Sequence, residues 1–138
     1  KLTGQVLVIP TGGTQLYHVA AVMASNTIVG VLDVASGLLE TAGVERSRAL
    51  SALQPLAEAS VRNTVSLGAE GALTGPVERG DSATIEAHLE VLENSPNHVT
   101  ELYRSVGCQL LDIARRRGLS RTVAAELETI LTGNKLDG

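Results

Sequence analysis

The sequence predicts an all-α domain of about five helices, preceded by one short strand that has no partner strand. Apolar residues recur at helical spacing through most of the 138 residues. Glycine, proline and capping residues separate these periodic segments. Only the apolar run Gln5-Val6-Leu7-Val8-Ile9-Pro10 reads as a strand, and a single strand has no sheet to join. We therefore expect a helical domain with a long, central first helix.

Composition limits the classes of function. The chain is 43% hydrophobic with a formal net charge of −4, and its aromatic residues are only Tyr17 and Tyr103. The negative charge and the lack of aromatic stacking platforms argue against nucleic-acid binding. Cys108 is the single cysteine, so an intrachain disulfide and a thiolate metal cluster are excluded. Cys108 reads as a small core residue. We expect a soluble, cytoplasmic protein that does not enter a membrane.

The orphan strand suggests that the chain continues a longer protein, because Lys1 is not an initiator methionine. The predicted organisation has three parts. Residues 1–10 are the end of a missing N-terminal domain or a linker strand, residues 11–131 form the helical domain, and residues 132–138 are a frayed tail.

The first helix is predicted over Thr14–Thr41, before a C-cap at Gly43, and would span about 40 Å. It is apolar nearly all round, which predicts a central helix buried on most sides. Its polar residues except Thr27 fall within one narrow sector on the helix surface: His18, Ser25, Asn26, Asp33, Ser36 and Glu40. Two interpretations stay open. The sector is the solvent-facing edge of a packed helix, or its His18 to Asn26 end lines a cleft.

Four further helices follow. The second covers residues 45–67, with Pro55 expected to kink or split it. Its inward face is predicted to comprise Leu50, Leu53, Leu56, Ala57, Ser60, Val61 and Val65. The third begins at Asp81 or Ser82 and ends near Glu93. The fourth covers residues 98–117 before Gly118, and the fifth covers residues 120–131, with Ser120 as a candidate cap. The run Arg115-Arg116-Arg117 favours a helix C-terminus, where cations complement the dipole, over a phosphate site.

Between the second and third helices lies a polar loop over residues 68–80. Its sequence Leu73-Thr74-Gly75-Pro76-Val77-Glu78-Arg79-Gly80-Asp81 combines two glycines and a proline with a hydroxyl, a guanidinium and carboxylates. Such a loop can serve as a binding element. Known catalytic motifs are absent: the sequence contains no HExxH, GxSxG, P-loop or GxGxxG pattern, so neither a metal site nor a Rossmann-type dinucleotide site is expected.

The remaining candidates suit a small oxyacid. Arg79 can hold a carboxylate through two parallel hydrogen bonds. His18 can donate a proton near neutral pH, and Asn26 can bond a carbonyl or hydroxyl. Thr74, Asp81, His88 and Tyr103 complete the set. Each has an ordinary alternative: Asp81 as a helix cap, His88 and Tyr103 as satisfied core residues, and Arg79 as a solvent-facing side chain.

These residues resemble a known family. The resemblance is carried by Leu16-Tyr17-His18-Val19-Ala20-Ala21, Ala24-Ser25-Asn26, Leu73-Thr74-Gly75-Pro76, Arg79-Gly80-Asp81, Thr84, His88-Leu89 and Tyr103. The chain is similar over residues 4–114 to the C-terminal domain of Rossmann-type oxidoreductase-like proteins catalogued as domain of unknown function 2520. Their layout is similar to ketopantoate reductase, pyrroline-5-carboxylate reductase and the 6-phosphogluconate dehydrogenase group.

The resemblance implies a 6-phosphogluconate dehydrogenase C-terminal-like helical domain that completes an active site and pairs subunits. It implies an NAD(P)-binding Rossmann domain in front of this chain, with no cofactor bound by the chain alone. In similar register, His18 stands where ketopantoate reductases carry a general-acid lysine, and Asn26 stands at the second of two asparagines. Val22 occupies the position of the first asparagine, which departs from that pattern.

Two functions are therefore predicted. The first is the substrate-binding and dimerisation domain of an NAD(P)-dependent oxidoreductase that acts on a small carboxylic acid. In it His18 is catalytic, and Asn26, Thr74, Arg79, Asp81 and His88 bind substrate. The alternative is a non-catalytic helical module that dimerises or binds a partner. Its motivating feature is a first helix too apolar for its short neighbours to cover.

Overall fold

The computed structural model describes residues 8–133, which contain seven α-helical segments and no strand. These are α1 (Thr14–Ala24), α2 (Asn26–Thr41), α3 (Arg46–Ala72), α4 (Pro76–Arg79), α5 (Ser82–Leu92), α6 (Asn97–Arg117) and α7 (Arg121–Thr132). The predicted all-α class is confirmed. Residues 5–7 of the predicted strand lie outside the described part, and Val8, Ile9 and Pro10 do not form a strand. Most of the predicted tail, residues 134–138, also lies outside it.

The five predicted helices are all present. The first is the pair α1 and α2, the second is α3, and the third to fifth are α5, α6 and α7. The additional segment α4 is a single turn inside the predicted loop, too short for periodicity to detect. Two helices begin at a side-chain cap, as predicted. Asp81 accepts from the backbone N–H of Thr84, and Ser120 accepts from that of Val123.

The long first helix is interrupted once, at Ser25. There the backbone leaves the helical region (φ −124°, ψ −71°), and the hydroxyl of Ser25 donates to the carbonyl of Ala21 at 2.6 Å. Serine and asparagine compete with helical hydrogen bonding in this way, so the Ser25-Asn26 pair is a natural place for a break. Asn26 consequently becomes the first residue of α2.

The chain divides into two compact units, Lys1–Pro55 and Leu56–Gly138, with the boundary inside α3. In the first unit, Ser36 of α2 and Ala49 of α3 are fully buried. Arg46, at the start of α3, pairs with Asp33 and with Glu40 of α2. This double ion pair ties the end of α2 to the beginning of α3.

The expected burial of the first helix is wrong. Ser36 is its one buried residue, and the exposed fraction of Leu16 reaches 74%. Nine large apolar side chains of α1 and α2 are exposed: Leu16, Tyr17, Val19, Val22, Met23, Ile28, Val29, Val31 and Leu38. Apolar character on every side predicted a buried helix. Within the first unit, no other described element supplies that cover.

One stretch of the described chain is long and apolar enough to cross a membrane. It is Thr14–Thr41, the same helix pair, with a mean hydropathy of 1.6 over its best window. Signal sequences and core helices of soluble proteins meet the same criterion. The expectation that the protein does not enter a membrane therefore stays a prediction.

Helix α3 differs from its prediction in two respects. The backbone stays helical through Pro55, and the interruption lies instead at Gly68 (φ 74°, ψ 170°). Only Ala49 is buried in α3. The predicted inward face is wrong for five residues that are exposed: Leu50, Leu56, Ser60, Val61 and Val65.

The hydrophobic core of the second unit lies among the C-terminal helices, which we call the bundle (α4 to α7). It is built from Leu73, Val77, Ile85, Leu89, Leu111, Ala114, Ala124, Leu127 and Leu131. Tyr103 and Cys108 pack against it and are partly buried, which confirms Cys108 as a small core residue. Gly107 permits close approach of α6 and α7, because an added Cβ would lie 2.5 Å from Cδ2 of Leu131.

Helix α6 also supplies polar links to three other helices. Thr100 donates to the carbonyl of Leu92 in α5 at 3.1 Å, and Arg104 donates to that of Ile130 in α7 at 2.6 Å. Arg117 donates to the carbonyl of Leu73, just beyond α3, at 2.8 Å. The carbonyls of Leu92 and Ile130 also accept a backbone N–H, from Ser95 at 2.9 Å and from Gly133 at 3.3 Å, so there the side chains add a second hydrogen bond.

Candidate functional site

The segment that carries Thr74, Arg79 and Asp81 is held by its own backbone bonds. Arg79 donates its N–H to the carbonyl of Gly75 at 3.2 Å, and Asp81 donates to that of Pro76 at 2.8 Å. Gly80 has a left-handed conformation (φ 67°), and a Cβ there would lie 2.5 Å from Cγ1 of Val123. Glycine is therefore required for both conformation and space. We call residues 73–81 the Arg79 segment.

Two predicted site residues, Arg79 and Asp81, come together with Thr84 at the end of this segment. Asp81 accepts from the backbone N–H of Thr84 at 3.1 Å and from its hydroxyl at 2.7 Å. The guanidinium of Arg79 lies 3.8 Å from Oδ2 of Asp81, and the Arg79 side chain is 59% exposed. The hydrogen bonds from Thr84, with a smaller contribution from Arg79, lower the pKa of Asp81 below its ordinary value. Asp81 is thus an ionised helix cap.

A second pair lies between α5 and α6. Nδ1 of His88 is 2.8 Å from the hydroxyl of Tyr103, and the two rings meet edge to face with centroids 5.8 Å apart. Burial raises the pKa of Tyr103. In the described residues no hydrogen bond or ion pair joins His88 to Arg79 or Asp81. Both side chains have a hydrogen-bond partner, as the interpretation as satisfied core residues requires, but His88 is exposed and is therefore not a core residue.

The other two predicted residues belong to the first unit. His18 is exposed on α1, where its ring meets that of Tyr17 edge to face at 5.8 Å between centroids. Asn26 is exposed at the start of α2. The predicted set therefore falls in two units. His18 and Asn26 lie in residues 1–55, whereas Thr74, Arg79, Asp81 and His88 lie in residues 56–138.

The arginine run at the end of α6 holds neighbouring elements by ion pairs. Arg115 pairs with Asp112 and Glu128, and Arg116 pairs with Glu70 at 2.6 Å. The Arg116 bond lowers the pKa of Glu70. Because these guanidinium groups already have carboxylate partners, the helix-end interpretation is favoured over the phosphate site.

Sequence reasoning missed Arg117 as a neighbour of the Arg79 segment. Its guanidinium donates to the carbonyls of Glu70 and Leu73 and lies 3.4 Å from Oε1 of Glu78. The sequence around Arg117 does not indicate these contacts, because Arg117 and Leu73 are 44 positions apart. The run of arginines was the available signal, and it indicated only a helix end.

The bundle contains two open cavities near the start of α7. The first, of about 340 Å³, is lined by Glu78, Ala114, Arg117, Gly118, Leu119 and Ser120. The second, of about 440 Å³, is lined by Arg115, Leu119, Arg121, Ala124 and Ala125. Across residues 8–133, no three His, Cys, Asp or Glu side chains are grouped so that they could hold a metal ion.

Comparison with known proteins gives one match. The model of a family described as Domain of unknown function (DUF2520) matches residues 1–110. No curated protein and no solved structure matches the chain. The matched range includes every predicted site residue and ends within α6.

Proposed function

The chain belongs to the family described as Domain of unknown function (DUF2520), and from that premise we propose that it is the substrate-binding and dimerisation domain of an NAD(P)-dependent oxidoreductase acting on a small carboxylic acid. The observation that carries the proposal is that the Arg79 side chain is exposed and weakly paired. Its guanidinium is exposed, and Asp81, its one ion-pair partner among residues 8–133, is as far away as 3.8 Å, on a backbone fixed by hydrogen bonds.

Arg79 suits a carboxylate ligand because its donors are not used up. Thr84 donates two hydrogen bonds to Asp81, and the Arg79 guanidinium stays 3.8 Å from Oδ2 of Asp81, beyond hydrogen-bond distance. Arg115 and Arg116, by contrast, make ion pairs at 3.0 Å or less. A planar guanidinium with available N–H groups recognises a carboxylate through two parallel bonds. Thr74, exposed in the same segment, offers a hydroxyl.

The proposal places no dinucleotide on the described residues. They contain no strand, and the sequence lacks the glycine turn that cradles a pyrophosphate. The proposal therefore assigns NAD(P) to a Rossmann domain outside this chain. It assigns His18 as the proton donor to a substrate oxygen and Asn26 as the amide that orients that oxygen. Their exposure leaves both side chains accessible to a ligand.

Binding of a minimal 2-oxo acid tests the proposal. Pyruvate is titrated into the chain and followed by amide chemical shifts. We expect saturable binding that Arg79→Met weakens about tenfold or more, because a charged hydrogen-bonded contact is worth roughly 1.5–3 kcal/mol. Arg79→Lys keeps the charge but loses the parallel geometry, so it should bind with intermediate affinity. Arg121→Met, at another exposed arginine, is the matched control. Equal affinity in the wild type and Arg79→Met would overturn the proposal.

Turnover is a separate test of the assigned proton donor. It uses a chain in which an NAD(P)-binding domain precedes residues 1–138, with oxidation of the reduced nicotinamide followed optically. His18→Gln is expected to lower kcat about 10²-fold or more, the usual effect of removing a general acid, with a smaller change in KM. Tyr17→Phe is the neighbouring control. An unchanged kcat in His18→Gln would remove His18 from the proposal.

A second candidate function is a non-catalytic helical module that dimerises, and the exposed helix pair α1–α2 favours it. At about 100 Å² for a fully exposed aliphatic side chain, its nine large apolar residues present roughly 450 Å². These side chains lie on several sides of the two helices, and exposed apolar area on this scale is compatible with a surface that contacts a partner. A second copy of the chain is the simplest partner, because a two-fold axis pairs one patch with itself.

Light scattering after size exclusion tests the dimer. We expect a dimer for the wild type and a monomer for Val29→Asp, which places a charge in the exposed surface of α2. Val91→Asp is the control, because Val91 is equally exposed on α5 of the other unit. A monomeric wild type would contradict dimerisation in both candidate functions. A dimer without pyruvate binding would favour the non-catalytic module.

A further inference from the structure

We propose that Arg117 is a positioning residue that holds the Arg79 segment in the conformation that presents Arg79 to a ligand. The inference rests on the proposed function for its ligand, but the conformational claim stands on contacts within the second unit. Arg117 has no assigned role in that function, and its side chain lies on α6 rather than on the segment it contacts.

Arg117 contacts the chain on both sides of Gly75. Before Gly75 it donates to the carbonyl of Glu70 at 3.2 Å and to that of Leu73 at 2.8 Å. After Gly75 it lies 3.4 Å from the carboxylate of Glu78, in the single turn α4. One guanidinium therefore spans the two ends of the turn that leads to Arg79.

The bridged turn needs such support. Gly75 has a φ of 94°, which glycine adopts at little energetic cost. Because glycine adopts many other backbone conformations as easily, Gly75 does not by itself hold the turn in this one. Helix α4 is four residues long, too short to be stable by itself. Its Val77 anchors the segment in the core, and Arg117 supplies the polar contacts on the other side. Together, Val77 and Arg117 determine the position of the backbone from which the Arg79 side chain extends.

Neighbouring arginines make different contacts, which identifies Arg117 as the specific residue. Arg115 pairs with Asp112 and Glu128, both outside the Arg79 segment. Arg116 pairs with the side chain of Glu70 and with no residue of the segment in the described contacts. The last turn of α6 thus offers an internal control for charge and helix position.

The test measures local opening and ligand affinity together. Amide hydrogen exchange of Arg79, Gly80 and Asp81 reports the segment, because each of these N–H groups is hydrogen-bonded within it. In Arg117→Gln we expect their exchange to rise about tenfold, while the core amides of Leu111 and Leu127 stay unchanged. Pyruvate affinity should fall by about twofold or less, because affinity follows the fraction of chains in which the segment is closed. Arg117→Lys should restore part of both effects.

Two further variants keep the result interpretable. Arg115→Gln removes a cation from the same helical turn and should leave segment exchange and pyruvate affinity at wild-type values. Glu78→Gln removes one of the three contacts of Arg117. It should raise exchange in the segment by a smaller factor, and it covers the case in which Arg117→Gln does not fold.

Equal acceleration of all amides in Arg117→Gln would overturn the inference, since Arg117 would then contribute only to global stability. Unchanged exchange of Arg79, Gly80 and Asp81 in Arg117→Gln would overturn it as well. If the wild type binds no pyruvate, the proposed function fails. In that case segment exchange in Arg117→Gln and Arg117→Lys still decides whether Arg117 sets this conformation.

Discussion

Single side chains decide where the helices of the bundle begin and how closely they approach. Asp81 and Ser120 cap α5 and α7 by the same geometry, but only the carboxylate can titrate. The hydrogen bonds that make Asp81 a good cap also lower its pKa. The stability of the start of α5 therefore depends on pH through Asp81.

The first prediction concerns acid sensitivity. Because the pKa of Asp81 in the folded chain lies below its unfolded value of about 3.9, its stabilising effect is complete above about pH 4. That effect is lost as the pH falls through the folded pKa. Asp81→Ser keeps a capping oxygen that does not titrate. Urea unfolding at a series of pH values should therefore give a difference between wild type and variant that shrinks in acid.

The converse substitution is the control. Ser120→Asp places a titratable cap at the start of α7, in the same geometry. It should add acid sensitivity to the free energy of unfolding. A difference between wild type and Asp81→Ser that stays constant over the acid range would show that the Asp81 carboxylate has no linked proton.

The second prediction concerns the close approach at Gly107. Gly107→Ala should destabilise the bundle by about 1–3 kcal/mol, because the new methyl group overlaps the buried side chain of Leu131. Gly30→Ala is the matched control, since nothing lies within 4 Å of a Cβ there. It should stabilise α2 by about 0.5–1 kcal/mol. Urea unfolding measures both, and equal stabilities of Gly107→Ala and wild type would contradict the packing argument.

At the scale of elements, the break in α3 is set by one glycine. Gly68 has a φ of 74° and a ψ of 170°, a combination essentially restricted to glycine. On its C-terminal side, Glu70 and Leu73 are held by Arg116 and Arg117. On its N-terminal side, Val65 and Leu67 are exposed.

The third prediction follows from this contrast. Gly68→Ala should destabilise the second unit by about 1–3 kcal/mol, because alanine resists this backbone conformation although the space for its methyl is available. Gly37→Ala, at a helical glycine with open space around it, should stabilise. Thermal unfolding followed by circular dichroism compares the two. A Gly68→Ala chain as stable as the wild type would mean that the break is not fixed by Gly68.

The elements show what sequence could predict and what it could not. The starts of α5 and α7 were predicted correctly because capping is a local property of Asp81 and Ser120. The predicted burial of α1, α2 and α3 is wrong, because the apolar character of a side chain such as Val65 does not determine whether another element packs against it. The same holds for the site. Arg79 and Asp81 were found together because they are neighbours in sequence, whereas Arg117 was not.

At the scale of the whole molecule, the two units differ in what stabilises them. The second unit contains a contiguous apolar core. The first has only Ser36 and Ala49 fully buried among its described residues. Most helical stability in proteins comes from tertiary packing, so α1 and α2 have little support within one chain.

The fourth prediction is that protection of α1 and α2 depends on protein concentration. Their amides should exchange rapidly in dilute solution and more slowly at concentrations where chains associate. Amides of α5, α6 and α7 should exchange slowly under both conditions. Hydrogen exchange with mass spectrometry measures both groups in one sample. Equal protection of α1 and α2 at every concentration would contradict association through these helices.

The two tyrosines lie in different units, and the sequence has no tryptophan. Tyr17 is exposed on α1, whereas Tyr103 is partly buried and bonded to His88. The intrinsic ultraviolet fluorescence of the protein is therefore the sum of two reporters. Replacing either tyrosine by phenylalanine leaves a single emitter, so the unfolding of each unit can be followed optically without an attached dye.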